Sequence, residues 1–134
     1  MILGDATIQR FLAGRDVAVL ATLQPDGAPL AMPMWFLAEG AAVTMLSVED
    51  SQKVRNLRRD PRACVVVEAS EPIRGVSVQG RAAFVADGPE RRQLVERFHA
   101  RYPGLQRIWG GPTMPPDRVM FRIAPTRVHA WGLT

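Results

Sequence analysis

The sequence predicts a mainly β fold, an antiparallel barrel or strongly curled sheet carrying short helices. Its apolar runs are short and follow one another closely, and strong turn chemistry separates them. The helical stretches interrupt the strands instead of alternating with them one for one, which disfavours a doubly wound sheet.

The elements follow in order. Asp5 caps a short helix in which Ile8, Phe11 and Leu12 share one face, and Gly14 ends it. Val17 to Leu23 is an apolar run suited to a buried strand. Pro25-Asp26-Gly27 is a turn, with Pro presetting one backbone angle and Gly tolerating positive φ. A second strand runs from Pro29 to Leu37, and Glu39-Gly40 turns the chain into a third, Ala42 to Leu46. Ser51 then caps a helix whose Val54 and Leu57 face inward, and Asp60-Pro61 stops it, since the residue before proline disfavours helix. Ala63 to Glu68 is strand four, and Val76 to Val85 a long strand five with a bend at Gly80. Gly88-Pro89 opens a helix with Leu94, Val95, Phe98 and Tyr102 on its apolar face. Pro103 to Asp117 holds four prolines and three glycines around Trp109 and is expected to be a mobile or functional loop. Arg118 to Ile123 and Thr126 to Trp131 close the chain as two strands around Pro125.

At 134 residues the chain fits one domain over residues 1–134. A chain of this size buries roughly two-thirds of its unfolded surface, which leaves little room for a large enclosed ligand. A bulky ligand fits better in a groove or between two subunits. The single Cys64 excludes an internal disulfide framework and is expected to be a small buried thiol. No apolar stretch approaches the roughly twenty residues of a membrane span, and Met1 to Gly14 lacks the pattern of a signal peptide. The expected location is the cytoplasm, with no membrane partner.

The net charge is +4, from sixteen Arg and one Lys against thirteen acidic residues. The Arg are dispersed and no tight basic cluster is interleaved with aromatics, so nucleic acid is not expected as a partner. The local exception is Glu49 to Arg62. There a strand feeds a capped helix whose first turn carries Ser51, Gln52 and Lys53. Free backbone N–H groups and the positive end of the helix dipole make such a turn an anion site. A hydroxyl, an amide and an ammonium at adjacent positions suit phosphate oxygens, and Arg55, Arg58 and Arg59 deepen the field. Against this stands the plain reading of a solvated surface helix. His99 and His129 share no metal-ligand spacing, Asp50 and Asp60 have capping and helix-stop duties, and Ser47 and Ser77 lack a triad pattern. Trp35 is either a core aromatic or the wall of a ring-binding slot, and Trp109 reads as a lid.

The segment Ser51-Gln-Lys-Val-Arg-Asn-Leu-Arg-Arg-Asp-Pro-Arg62 resembles the phosphate-binding element of the pyridoxamine 5'-phosphate oxidase-like superfamily, and most closely its branch of deazaflavin-dependent reductases. Ala18 to Pro29 resembles that family's first hairpin, Met32 to Phe36 its second strand, Gly75 to Val85 its long fifth strand, and Pro125 to Trp131 its terminal strand. The resemblance implies a homodimeric FMN-binding split β-barrel with cofactor sites at the interface. It further implies that Ser51, Gln52 and Lys53 hold the cofactor phosphate, with Asn56 nearby. Leu46 and Ser47 correspond to residues beside the phosphate and sugar-alcohol chain. Pro33, Met34 and Trp35 match positions whose backbone meets the polar edge of the ring system, and Trp131 an aromatic near the cofactor of the other subunit. Ala31 stands where the family often has an arginine. The basic C-terminal residues by which true pyridoxamine-phosphate oxidases grip substrate have no counterpart before Thr134, so vitamin B6 oxidation is not expected.

The expected function is hydride transfer between the deazaflavin coenzyme F420 and a small organic substrate, with FMN as the alternative cofactor. In such enzymes the cofactor carries the hard step, so no dedicated catalytic acid or base is required of the sequence. The anionic tail of F420 also gives Arg55, Arg58 and Arg59 a purpose. Two other readings stand beside it: a binding protein without turnover, and a haem or tetrapyrrole carrier needing His99 or His129 in the groove.

Overall fold

Inward and outward alternation along the strands sets the architecture of this computed structural model, which describes residues 2–133; the two terminal residues of the expected 1–134 domain lie outside it. The order is α1 (Ala6–Ala13), β1 (Ala18–Leu23), β2 (Pro29–Met34), β3 (Val43–Val48), α2 (Gln52–Arg59), β4 (Arg62–Ser70), β5 (Ile73–Phe84), α3 (Pro89–Arg101), α4 (Leu105–Trp109) and β6 (Arg118–Trp131). The strands form one antiparallel sheet in the order β2-β1-β4-β5-β6-β3. Its inner face carries Ala18 and Leu20 of β1, Val65 and Val67 of β4, Val76 and Val78 of β5, and Phe121 and Ile123 of β6. Ile8 and Leu12 of α1 join that core. A second cluster packs Leu94, Val95 and Phe98 of α3 and Leu105 of α4 against Leu37, Val85 and Met120.

The two end strands of the order, β2 and β3, curl toward each other. Leu37, just past β2, meets Thr44 through paired backbone hydrogen bonds of 2.9 and 2.7 Å. Continued past that bridge, the ladder would set Trp35 opposite Leu46, Met34 opposite Ser47 and Pro33 opposite Val48. It does not continue, and the barrel is split there. Pro33 has no N–H to offer a ladder. On its other edge the neighbouring segment is held by Tyr102, whose hydroxyl accepts from the Phe36 N–H at 3.0 Å.

Local sequence explains the remaining boundaries. Asp5 accepts from the Thr7 and Ile8 amides as the N-cap of α1. Gly27 turns the β1–β2 hairpin at φ 87°, with Asp26 accepting from the Ala28 amide. The bend expected at Gly80 is a register shift between Gln79 and Gly80, where β5 crosses β6 so closely that a β-carbon on Gly80 would stand 2.2 Å from the Ala124 carbonyl oxygen.

Four expectations are corrected. The two terminal strands are one continuous β6, because Pro125 lies opposite Gly80 at the register shift, where a ladder donor is not needed. The second strand stops at Met34 instead of Leu37. The Pro103–Asp117 loop contains α4, held by Leu105 in the second cluster and ended by Gly110 at φ 76°. Cys64 is half-buried and faces outward, its Sγ 3.6 Å from the Ser77 Oγ, because the alternation of β4 gives the core to Val65 and Val67.

Candidate functional site

The split in the barrel is the candidate site. Where the β2–β3 ladder is missing, a cavity of about 380 Å³ opens between Pro33, Met34 and Trp35 on one side and Leu46, Ser47 and Val48 on the other. Lys53 of α2, Arg118 of β6 and Ile108 and Trp109 of α4 also line it. Other grooves on the surface are as large, one reaching about 580 Å³, so volume does not single this cavity out. Its chemistry does.

Lys53 sits in the first turn of α2, half-buried and without an ion-pair partner among the described residues. Burial lowers its pKa below the usual 10.5. A cation is also unfavourable at that end of the helix dipole. The cap is equally unusual: Ser51 is the N-cap residue, yet its side chain makes no capping bond and lies 3.5 Å from the Ser47 Oγ. The first amides of α2 are therefore left without the hydroxyl that normally satisfies them. Across the split, the Trp35 N–H and C=O have no hydrogen-bond partner among the described residues. Its indole stacks on the Tyr102 ring at 4.5 Å and 7°, which fixes the wall. An oxyanion facing Lys53 and a polar-edged ring facing Trp35 are what these groups can accept.

The other sequence-predicted residues fall in three places. Gln52 lies beside Lys53, but its amide donates to Asn56 Oδ1 at 2.8 Å and its carbonyl accepts from Arg55 at 3.1 Å. Asn56 is fully buried; it donates to Thr22 Oγ1 at 3.0 Å and ties α2 to β1, and neither it nor Gln52 lines the cavity. Arg55 pairs with Asp50 at 2.6 Å, and Arg58 pairs with Glu49 at 3.6 Å while lying 4.2 Å over the Phe84 ring. Arg59 bonds the Leu23 carbonyl and Asn56, away from the cavity. Trp131 is in none of this: it packs across Gly75, where a β-carbon would come within 2.4 Å of its ring, at the far end of β6 from Arg118. Asp60 stops the helix, and Arg62 holds its carboxyl down to about 2 by hydrogen bonding.

Five lining residues, Val48, Phe98, Leu105, Ile108 and Arg118, were not singled out as site residues from the sequence. Arg118 is the first residue of β6, and its place opposite Val48 depends on the β3–β6 register, which no local pattern discloses. Ile108 belongs to α4, a helix one turn long. Neither histidine lines the cavity: His99 hydrogen-bonds the Pro112 carbonyl at 2.8 Å and meets Trp109 edge-on, while His129 stacks beside Trp131.

Comparison with known proteins agrees with the geometry. The family described as pyridoxamine 5'-phosphate oxidase matches residues 5–132. The crystal structure of the conserved hypothetical protein Rv2991 from Mycobacterium tuberculosis superposes with a TM-score of 0.77 at 30% identity, over 95% of this chain and 83% of that one. An F420 reductase does so with 0.69 at 26% identity, over 90% and 94%. HutZ, the heme storage protein from Vibrio cholerae, superposes with 0.79 at 20% identity over 99% and 97%, a likeness of fold alone. With a split barrel and a family match over nearly its whole length, this chain belongs to the pyridoxamine 5'-phosphate oxidase family of flavin- and deazaflavin-binding split barrels, which includes oxidoreductases.

Proposed function

We propose that the chain is a reductase acting with coenzyme F420 on a small organic substrate in the cytoplasm, with FMN as the alternative cofactor. The observation that carries this is Lys53, a half-buried cation without a counter-charge at the uncapped start of α2, on the wall of the split. When bound, the cofactor would supply the ring that donates and accepts the hydride, and so the redox chemistry. The chain's own part is placement. Lys53, Ser51, Gln52 and the first amides of α2 hold the phosphate, and Ser47 and Leu46 bound the sugar-alcohol chain. The Pro33–Trp35 backbone meets the polar edge of the ring. Arg55 and Arg58 stand in exposed ion pairs, which are worth about 0–1 kcal/mol, so an anionic tail can recruit them at little cost.

The cavity of about 380 Å³ is at the small end of ligand sites, which run to roughly 1,000 Å³. A second subunit supplies the missing wall in this reading, with Trp131 contributed from it. The F420 reductase neighbour at 26% identity favours the deazaflavin over FMN, as does Ala31 in place of an arginine.

Calorimetric titration with F420 and FMN side by side tests the reading. Lys53→Ala is expected to weaken both by roughly ten- to a hundredfold, the loss of one charge-assisted hydrogen bond. Its melting temperature should stay level or rise slightly, since a cation leaves the positive end of a helix. Arg58→Ala should weaken F420 and spare FMN. Unchanged affinity for both cofactors in Lys53→Ala places the phosphate elsewhere and removes the assignment.

A further inference from the structure

A second groove, sharing no lining residue with the first, carries more positive charge than the split does. It runs for about 380 Å³ between α1, the β4–β5 hairpin and the end of β6, and Arg10, Arg15 and Arg74 line it together with Thr7, Phe11 and Leu133. Among the described residues no carboxylate lines it, and none of the three guanidiniums forms an ion pair with a described residue. Eight other Arg are engaged in ion pairs among the described residues, whereas these three share one groove without one.

The acids close by in sequence are otherwise placed. Asp5 is spent on the α1 cap, and Asp16 and Glu71 make no ion pair to the groove. Arg15 and Arg74 are both half-buried, so each has lost part of its hydration beside a like charge. Partly buried charges are ordinarily paired, and here no described residue supplies the partner.

The groove is also shaped. Arg74 lies 5.7 Å from the Phe11 ring and donates to the Pro72 carbonyl at 2.9 Å, which fixes its fork and leaves further N–H groups for a ligand. Gly132, at φ 69°, brings the end of β6 against the hairpin, where a β-carbon would stand 2.5 Å from the Ile73 carbonyl oxygen. The C-terminal end of α1 faces the groove and opposes an anion. Its carbonyls are occupied, however: the Phe11 oxygen accepts from Gly14, and the Leu12 oxygen from Arg15 and Arg101. A helix end amounts to roughly half a charge, against three full ones.

We infer that this groove is a second anion site, for a small compound bearing two or more phosphate or carboxylate groups on a stem that lies along Phe11 and Leu133. Pairs of guanidiniums bind such oxyanions through forked hydrogen bonds, and two arms facing one another select a divalent ligand over a monovalent one. The site stands apart from the flavin reading and does not depend on it.

Calorimetric titration with pyrophosphate and with citrate, at fixed ionic strength, is the test. In Lys53→Ala, where the split no longer competes for the anion, saturable binding at one site per chain is expected, weakened roughly ten- to a hundredfold when Arg15→Gln or Arg74→Gln is added. Arg15→Lys, which keeps the charge, should retain binding within about tenfold and serves if Arg15→Gln unfolds. Loss of binding in Lys53→Ala would put the anion in the split and overturn the proposal. Equal binding of chloride and pyrophosphate would reduce it to diffuse charge, and tighter Arg-dependent binding of an oligonucleotide would replace the small anion with nucleic acid.

Discussion

At Lys53 two forces push the ammonium toward neutrality, and a bound phosphate pulls it back. Burial lowers its pKa below 10.5, and the positive end of α2 acts in the same direction. An oxyanion stabilises the charged form, so binding is strongest where Lys53 is protonated. Cofactor affinity should therefore be full below the lowered pKa and fall as pH rises through it, before 10.5 is reached. Lys53→Arg should abolish that fall, because a guanidinium stays charged throughout. Calorimetry across pH in buffers of different ionisation heat reads both the affinity and the proton uptake. A pH profile identical in the two proteins would detach Lys53 from the phosphate. Lys53 was legible in the sequence because a lone lysine among sixteen arginines opens a helix, a local fact. Asn56 was named only through the family resemblance, as a residue expected near the phosphate, and its role as the buried tie to Thr22 was not legible, since that bond spans 34 residues. Arg118 shows the same limit.

Among the elements, α4 changes the meaning of its surroundings. Prolines and glycines around Trp109 read as breakers, yet Gly104 and Gly110 flank a five-residue helix as its caps. One turn shows no apolar periodicity, so the sequence could not announce it. The helix sets Trp109 against His99 at 5.2 Å and 85° and against the cavity. Trp109→Ala should accordingly change turnover of an enone panel more than cofactor affinity. Affinity falling about tenfold, ~1.4 kcal/mol, with turnover unchanged would make Trp109 a wall for the cofactor instead of a cover for the substrate. The strands were easier to read, because alternation is local: the cores of β1, β4 and β5 follow from period two. Pro125 broke that reading. In isolation a proline separates two strands, and only the opposing Gly80 makes it part of one.

For the whole molecule the order β2-β1-β4-β5-β6-β3 turns one sheet face inward and leaves the other bare. One row across that outer face runs from Pro33 through Val19, Val66 and Ser77 to His129, and Val19 is 40% exposed. A monomer seldom leaves such a surface open. The protein should sediment as a dimer at micromolar concentration, with or without cofactor. A clean monomer in sedimentation equilibrium with cofactor present would remove the interfacial site and with it the role of Trp131. The sheet order itself was beyond the sequence: strand succession is visible in it, but β3 pairing with β6 across some seventy residues is a property of the closed sheet.

The Tyr102 hydroxyl joins three segments at once. It accepts from the Phe36 amide at 3.0 Å and the Arg101 Nε at 3.1 Å, and its proton faces the carbonyls of Asp16 at 2.8 Å and Phe36 at 3.0 Å. The same ring is the bed on which Trp35 lies. Fraying of the last turn of α3 therefore withdraws the support of Trp35, frees the Phe36 amide and releases the chain leaving α1 in one event. Local openings that other proteins undergo separately are fused here into one cooperative unit. The lifetime of the ordered Trp35 wall is then set by a single phenol.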